Sequence, residues 1–72
     1  MANRYWIGGS NTWDLTNTAV WSASSGGSGG ASVPTASDNV FFDQAGTYSI
    51  ATDAVSEVSC YNLTISTGTY TI

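Results

Sequence analysis

Apolar residues in this chain come two apart, in short runs, and that spacing restricts what it can fold into. Tyr48 and Ile50, Leu63 and Ile65, and Tyr70 and Ile72 each fall on one face of an extended segment, because side chains alternate across a strand. Turn formers separate the runs: Ser37-Asp38-Asn39, Gln44-Ala45-Gly46 and Ser66-Thr67-Gly68. Short alternating segments punctuated in this way define an all-β chain of short strands and long turns, with each pair facing inward.

Size sets the next limit. A folded chain of 72 residues buries only about 60% of the surface that its unfolded form exposes. A core of that size rarely supplies more than about 3–5 kcal/mol without a disulfide, a metal or a partner. Cys60 is the single cysteine, so no disulfide forms within the chain. There is no histidine, and one thiol with scattered carboxylates does not make the usual four-ligand zinc set. The remaining stabiliser is a partner: further chain past Ile72, where an alternating pattern breaks off, copies of the same chain, or a larger assembly.

Three pieces are distinguishable. Residues 1–22 are aromatic and turn-rich, with a β-favouring run Tyr5-Trp6-Ile7 and a turn at Gly8-Gly9-Ser10-Asn11. Asp14 or Asn17 could cap an irregular turn or one turn of helix there. Residues 23–32, rich in glycine and serine, read as a loop. If that loop is ordered, something must hold it, because fixing so many glycines costs entropy. Residues 33–72 form the strand region. Val33-Pro34-Thr35 is extended, Val40-Phe41-Phe42-Asp43, Thr47–Ile50, Tyr61–Ile65 and Thr69–Ile72 are strands, and Ala51–Ala54 is a connection. Val55 and Val58, three apart, fit a loop or a single helical turn.

Composition excludes several functions. Arg4 is the only basic residue, against Asp14, Asp38, Asp43, Asp53 and Glu57, for a net charge of −4. Nucleic acid is bound by neutralising phosphates, so this balance opposes it, and it opposes an anionic membrane surface in the same way. Apolar runs such as Val40-Phe41-Phe42 are far shorter than the roughly 20 residues of a spanning helix. No apolar run of signal-peptide length follows the N-terminus, so the expected starting compartment is a cytoplasm.

Chemistry is sparsely provided. Without histidine there is no ready general base near neutral pH, and no serine or threonine sits in a recognisable nucleophile motif. Asp38 with Asp43, or Asp53 with Glu57, could pair as glycosidase acids do, but acids in turn-rich sequence more simply cap turns. Asp38, Asn39 and Asp43 lack the spacing of a calcium loop. No enzyme activity, metal or cofactor is expected. Cys60 reads as a small buried apolar residue. Asn62-Leu63-Thr64 fits the glycosylation triplet, a chance match in the absence of a secretory signal.

The tryptophans carry the most information. Trp6, Trp13 and Trp21 lie within one short segment, and each can bury about 150–250 Å². They form a core, anchor a protein interface, or stack on sugar rings. The candidate partner-binding residues are Arg4, Tyr5, Trp6, Trp13 and Trp21.

The run Arg4-Tyr5-Trp6-Ile7-Gly8-Gly9-Ser10, then Thr12-Trp13 and Thr18-Ala19-Val20-Trp21-Ser22, resembles the opening of a module found in tailed-phage virion proteins of the fibre and decoration type. The likeness continues through Ser25–Thr35 and Ser37-Asp38-Asn39-Val40-Phe41-Phe42-Asp43. Val20 stands where the module commonly has asparagine, and Asn11 where it has glycine. Similar openings precede β-helical surface domains of bacteria. The resemblance implies a non-enzymatic structural protein of a virion assembled in the host cytoplasm. In that reading residues 1–72 are the N-terminal attachment portion, forming the cap and first rungs of a β-helix, and they contact capsid or tail proteins and self-associate as a homotrimer. The alternative fold is a small β-sandwich or jelly roll. The alternative function is a carbohydrate-binding or adhesin module with exposed tryptophans, for which exposure of two or more of the three is the discriminating sign. A bacterial surface passenger domain is a third class and would need a secretion signal.

Overall fold

The structure, a computed structural model, describes residues 2–14, 16–52 and 60–71. Among these residues the chain is all-β, with no helix. Its strands are β1 (Asn3–Trp6), β2 (Asn11–Trp13), β3 (Trp21–Ser22), β4 (Asn39–Phe42), β5 (Thr47–Thr52), β6 (Asn62–Ile65) and β7 (Thr69–Thr71). They form two sheets, one ordered β3-β1-β4-β6 and the other β2-β5-β7.

Strand direction explains the layout. Parallel neighbours cannot be joined by a tight hairpin and need a crossover. Here β1, β4 and β6 are parallel, and so are β2, β5 and β7. The crossover from β1 to β4 lays down β2 in the second sheet, and that from β4 to β6 lays down β5. The strands therefore stack as three tiers, β1–β2, β4–β5 and β6–β7, with one strand of each tier in each sheet. Sandwiches and jelly rolls are antiparallel, and only β1 with β3 pairs that way among the described strands.

Register places like on like. Asn3, Asn39 and Asn62 align, as do Tyr5, Phe41 and Thr64. In the second sheet Thr47 aligns with Thr69, Tyr48 with Tyr70, and Ser49 with Thr71. The turns leading into β5 and β7 also stack: Ser66 N–H donates to the Phe42 carbonyl at 3.0 Å and Thr69 N–H to that of Gly46 at 2.8 Å. Gly68 has φ +89°, and a Cβ there would strike the Gln44 carbonyl oxygen, so this turn requires glycine.

The core lies between the sheets. Trp6, Trp21, Val40 and Phe42 are fully buried, and Trp13, Val20 and Ile50 nearly so. Trp21 meets Trp6 edge-on at 5.2 Å and Trp13 edge-on at 5.2 Å, while Tyr70 packs on Phe42 at 4.9 Å. Offset and edge-on contacts of this kind suit the ring quadrupole.

Of the two forms open at Asp14, the turn is the one found: its carboxylate accepts the amides of Thr16 at 2.9 Å and Asn17 at 2.7 Å. Other expectations are revised. Ala51 and Thr52 belong to β5 rather than to a connection, and Asn39 begins β4 rather than ending a turn. Leu63 and Ile65 align with buried Val40 and Phe42, yet they are 46% and 48% exposed, because no described strand lies beyond β6. Val55, Val58, Asp53, Ala54, Glu57 and Ile72 lie outside the described residues. Cys60 is partly buried against the core.

The glycine- and serine-rich loop is ordered, and its own chain holds it. Gly30 N–H donates to Thr18 O at 3.0 Å and Ala31 N–H to Trp21 O at 3.2 Å. Gly29 passes so close to the Ala19 carbonyl that a Cβ would collide with it. Side chains are excluded there by the body of the molecule itself.

Candidate interaction surface

The five candidate residues divide into two sets. Trp6, Trp13 and Trp21 are core residues, so none presents a free ring. Burial of all three removes the exposed tryptophan platform that sugar stacking would need. Trp6 Nε1 donates to the Gly9 carbonyl at 2.8 Å. The indole N–H groups of Trp13 and Trp21 have no hydrogen-bond partner among the described residues.

Arg4 and Tyr5 are half-buried. Arg4 is committed to its own chain: Nε donates to Ser32 O at 2.7 Å, Nη2 to Ser32 Oγ at 2.7 Å and Nη1 to Asn3 O at 2.9 Å. It ties β1 to the end of the loop. The Tyr5 ring stacks on Phe41 at 4.9 Å with 19° between planes, so each ring covers one face of the other.

Beside that stack runs an amide ladder that sequence reading missed. Asn39 Nδ2 donates to Asn3 Oδ1 at 3.1 Å, and Asn62 Nδ2 donates to Asn39 Oδ1 at 3.3 Å. Its signal was available as asparagine three residues before a large apolar residue in Asn3–Trp6, Asn39–Phe42 and Asn62–Ile65.

The two margins of the first sheet differ. At one, the two-residue β3 pairs antiparallel with β1 and places Trp21 opposite Trp6; Ile7 N–H extends the pairing to Val20 O at 2.8 Å. At the other, four-residue β6 is the last strand. Around it Tyr61, Leu63 and Ile65 are 60%, 46% and 48% exposed. The segment from Tyr61 to Thr71 contains no charged residue. Among the described residues, this apolar patch beside the last strand of the sheet is the surface with the features of an interaction site.

Acidic groups serve as structural anchors. Asp38 accepts the Thr35 amide at 2.9 Å and the Ala2 amide at 3.1 Å. Those amides, Thr35 foremost, hold its carboxyl below the ordinary aspartate value of 3.8. The Thr16 and Asn17 amides lower Asp14 in the same way. Asp43 receives a hydrogen bond from Ser25 Oγ, joining the loop to the turn after β4. Among the described residues no pocket forms and no three metal-ligating side chains converge. No helix among the described residues is long and apolar enough to cross a membrane. No protein family, curated protein or solved structure matches the chain.

Proposed function

We propose that this chain is a non-enzymatic structural protein of a tailed-phage virion, the N-terminal attachment portion of a fibre or of a capsid or tail decoration protein. Its architecture in this reading is the cap and first rungs of a β-solenoid. Repeats of that kind bury their faces only against their neighbours, and the terminal one needs a cap. One observation carries the reading: three parallel tiers stack in register, sealed by β3 and the tryptophans at one margin and apolar and uncovered at the other. The likeness of most of residues 4–65 to phage virion modules supplies the setting. Contacts with neighbouring virion proteins, and self-association of the protein, follow from the same reading.

The test is detection in particles. An antibody raised against the 72-residue chain is applied to purified virions of the phage that encodes it, and bound label is located by electron microscopy. Labelling at a fixed position on capsid or tail is expected. Particles that carry no label and no chymotryptic peptide of this chain would falsify the assignment.

A further inference from the structure

The rings of the core form one continuous series of contacts. Trp21 meets both Trp6 and Trp13 at 5.2 Å. All three indoles reach the Phe42 ring, at 5.8 Å from Trp6, 6.1 Å from Trp13 and 6.3 Å from Trp21. Phe42 meets Tyr70 at 4.9 Å, and Tyr70 meets Tyr48 at 5.4 Å. The series therefore runs from fully buried side chains, Trp6 and Trp21, to two half-buried phenols. Tyr5 and Phe41 precede Trp6 and Phe42 by one residue, take the opposite face of the sheet, and stack on each other as a separate pair.

Indoles and phenols are the aromatic side chains that lose one electron most readily. At neutral pH a phenol sheds its proton as it is oxidised, and its neutral radical is a weaker oxidant than an oxidised indole. A positive charge left on an indole among apolar side chains is also penalised. Both effects give an electron vacancy one direction here, from the tryptophans outward to the tyrosines.

We propose that this series is a hole-transfer path that carries an oxidising equivalent from the buried tryptophans, across Phe42, to Tyr70 and Tyr48. A one-electron oxidant takes an electron from an indole and leaves its radical cation. The Tyr70 phenol then passes an electron to that indole across the Phe42 ring, which restores the tryptophan. The phenol gives its proton to water and becomes a phenoxyl radical. Tyr48 next gives one electron to Tyr70 and one proton to water, while Tyr70 regains a proton. The radical now sits on a phenol whose hydroxyl is exposed. There an enediol reductant such as ascorbate returns one electron and one proton. Close packing keeps the rings in contact along the way. The path protects the core, because ring-opening of one of these indoles would destroy the packing between the sheets. It uses no feature of the virion assignment and stands or falls separately from it.

The test flashes the 72-residue chain with ultraviolet light absorbed by indole. Hexaamminecobalt(III) is present to take up the ejected electron irreversibly, and the tryptophanyl and tyrosyl absorption bands are followed in time. Decay of the first band matched by growth of the second is expected, at a rate unchanged when the protein is diluted. Tyr70→Phe is expected to lose most of the tyrosyl growth, whereas Tyr5→Phe and Tyr61→Phe keep it. Tyr48→Phe, which leaves the Tyr70 lock on Gln44 intact, should keep the growth but slow the quenching of the tyrosyl band by ascorbate; it decides the matter if Tyr70→Phe fails to fold. Absence of tyrosyl growth overturns the proposal, and so does growth that slows on dilution, since transfer is then between molecules. Full growth in folded Tyr70→Phe, or unchanged quenching in Tyr48→Phe, overturns it as well.

Discussion

The Tyr70 hydroxyl closes on both backbone groups of Gln44, donating to its carbonyl at 2.7 Å and accepting its N–H at 2.9 Å. This one side chain on β7 locks the turn between β4 and β5. Burial raises the Tyr70 phenol above its ordinary 10.0. Tyr70→Phe leaves two backbone groups without their partner and is expected to cost about 1–3 kcal/mol. Urea unfolding of the variant checks this. The sign with pH follows from the raised value. The phenol's contribution is present below pH 10.0 and falls away as pH rises through the higher folded value. The wild type is therefore expected to weaken on alkaline titration more steeply than Tyr70→Phe.

Asn39 is both donor and acceptor in the amide ladder, whereas Asn3 accepts and Asn62 donates. Asn39→Ala is expected to cost about 0.5–1.5 kcal/mol, more than Asn62→Ala. Denaturant midpoints for the two variants decide the point. Equal effects would show that the Asn39–Asn3 bond contributes nothing to stability.

Two glycines with positive φ separate backbone strain from crowding. Gly26 (φ +65°) has nothing within 4 Å of a new Cβ, while Gly68 (φ +89°) faces the Gln44 carbonyl. Gly26→Ala carries only the left-handed penalty, about 1–2 kcal/mol. Gly68→Ala adds a backbone collision, so a clearly larger loss is expected for it. Thermal melts of both variants measure the difference.

Acid should loosen the N-terminal segment first. The carboxyls of Asp38 and Asp14 are both depressed by backbone amides, so they stabilise the fold above the ordinary value of 3.8. That contribution is lost as pH falls below 3.8 through the lower folded values. Asp38→Asn removes part of this slope. A stability profile from pH 7 to pH 2 should be flatter for the variant than for the wild type, and identical slopes would assign the acid sensitivity elsewhere.

Phe42 and Ile65 occupy one column of the stack with opposite exposure. Phe42→Ala is expected to cost about 3–5 kcal/mol, enough to unfold a small domain. Ile65→Ala should stay within about 0.5 kcal/mol, as exposed positions do. A large loss in Ile65→Ala would mean that the end of the stack is covered in solution.

Local signals were legible in the sequence, and long-range ones were not. The short strands expected at Thr47–Ile50 and Tyr61–Ile65 follow from alternation, and that at Val40–Asp43 from an apolar run between turns, the observed strand ending at Phe42. Burial of all three tryptophans was one of several open readings, because a ring of that size serves a core and an interface equally. Pairing partners were hidden, since alternation fixes which face a residue takes but not which strand lies beside it. The repetition of Gly-Thr-Tyr from Gly46 in Gly68-Thr69-Tyr70, together with the three asparagines, held that information. Leu63 and Ile65 were assigned correctly to the inward row and wrongly to the interior, because facing inward buries a side chain only when another layer follows. The outer roles of Arg4 and Tyr5 depend on Ser32 and Phe41, contacts that no local pattern announces.

The early pairing of Trp6 with Trp21 has a temporal meaning during translation. Both residues are synthesised before Asn39, and contacts close in sequence form fastest. The nascent chain can thus assemble its aromatic cluster as a seed, and the strands synthesised afterwards condense onto a surface that is already in place.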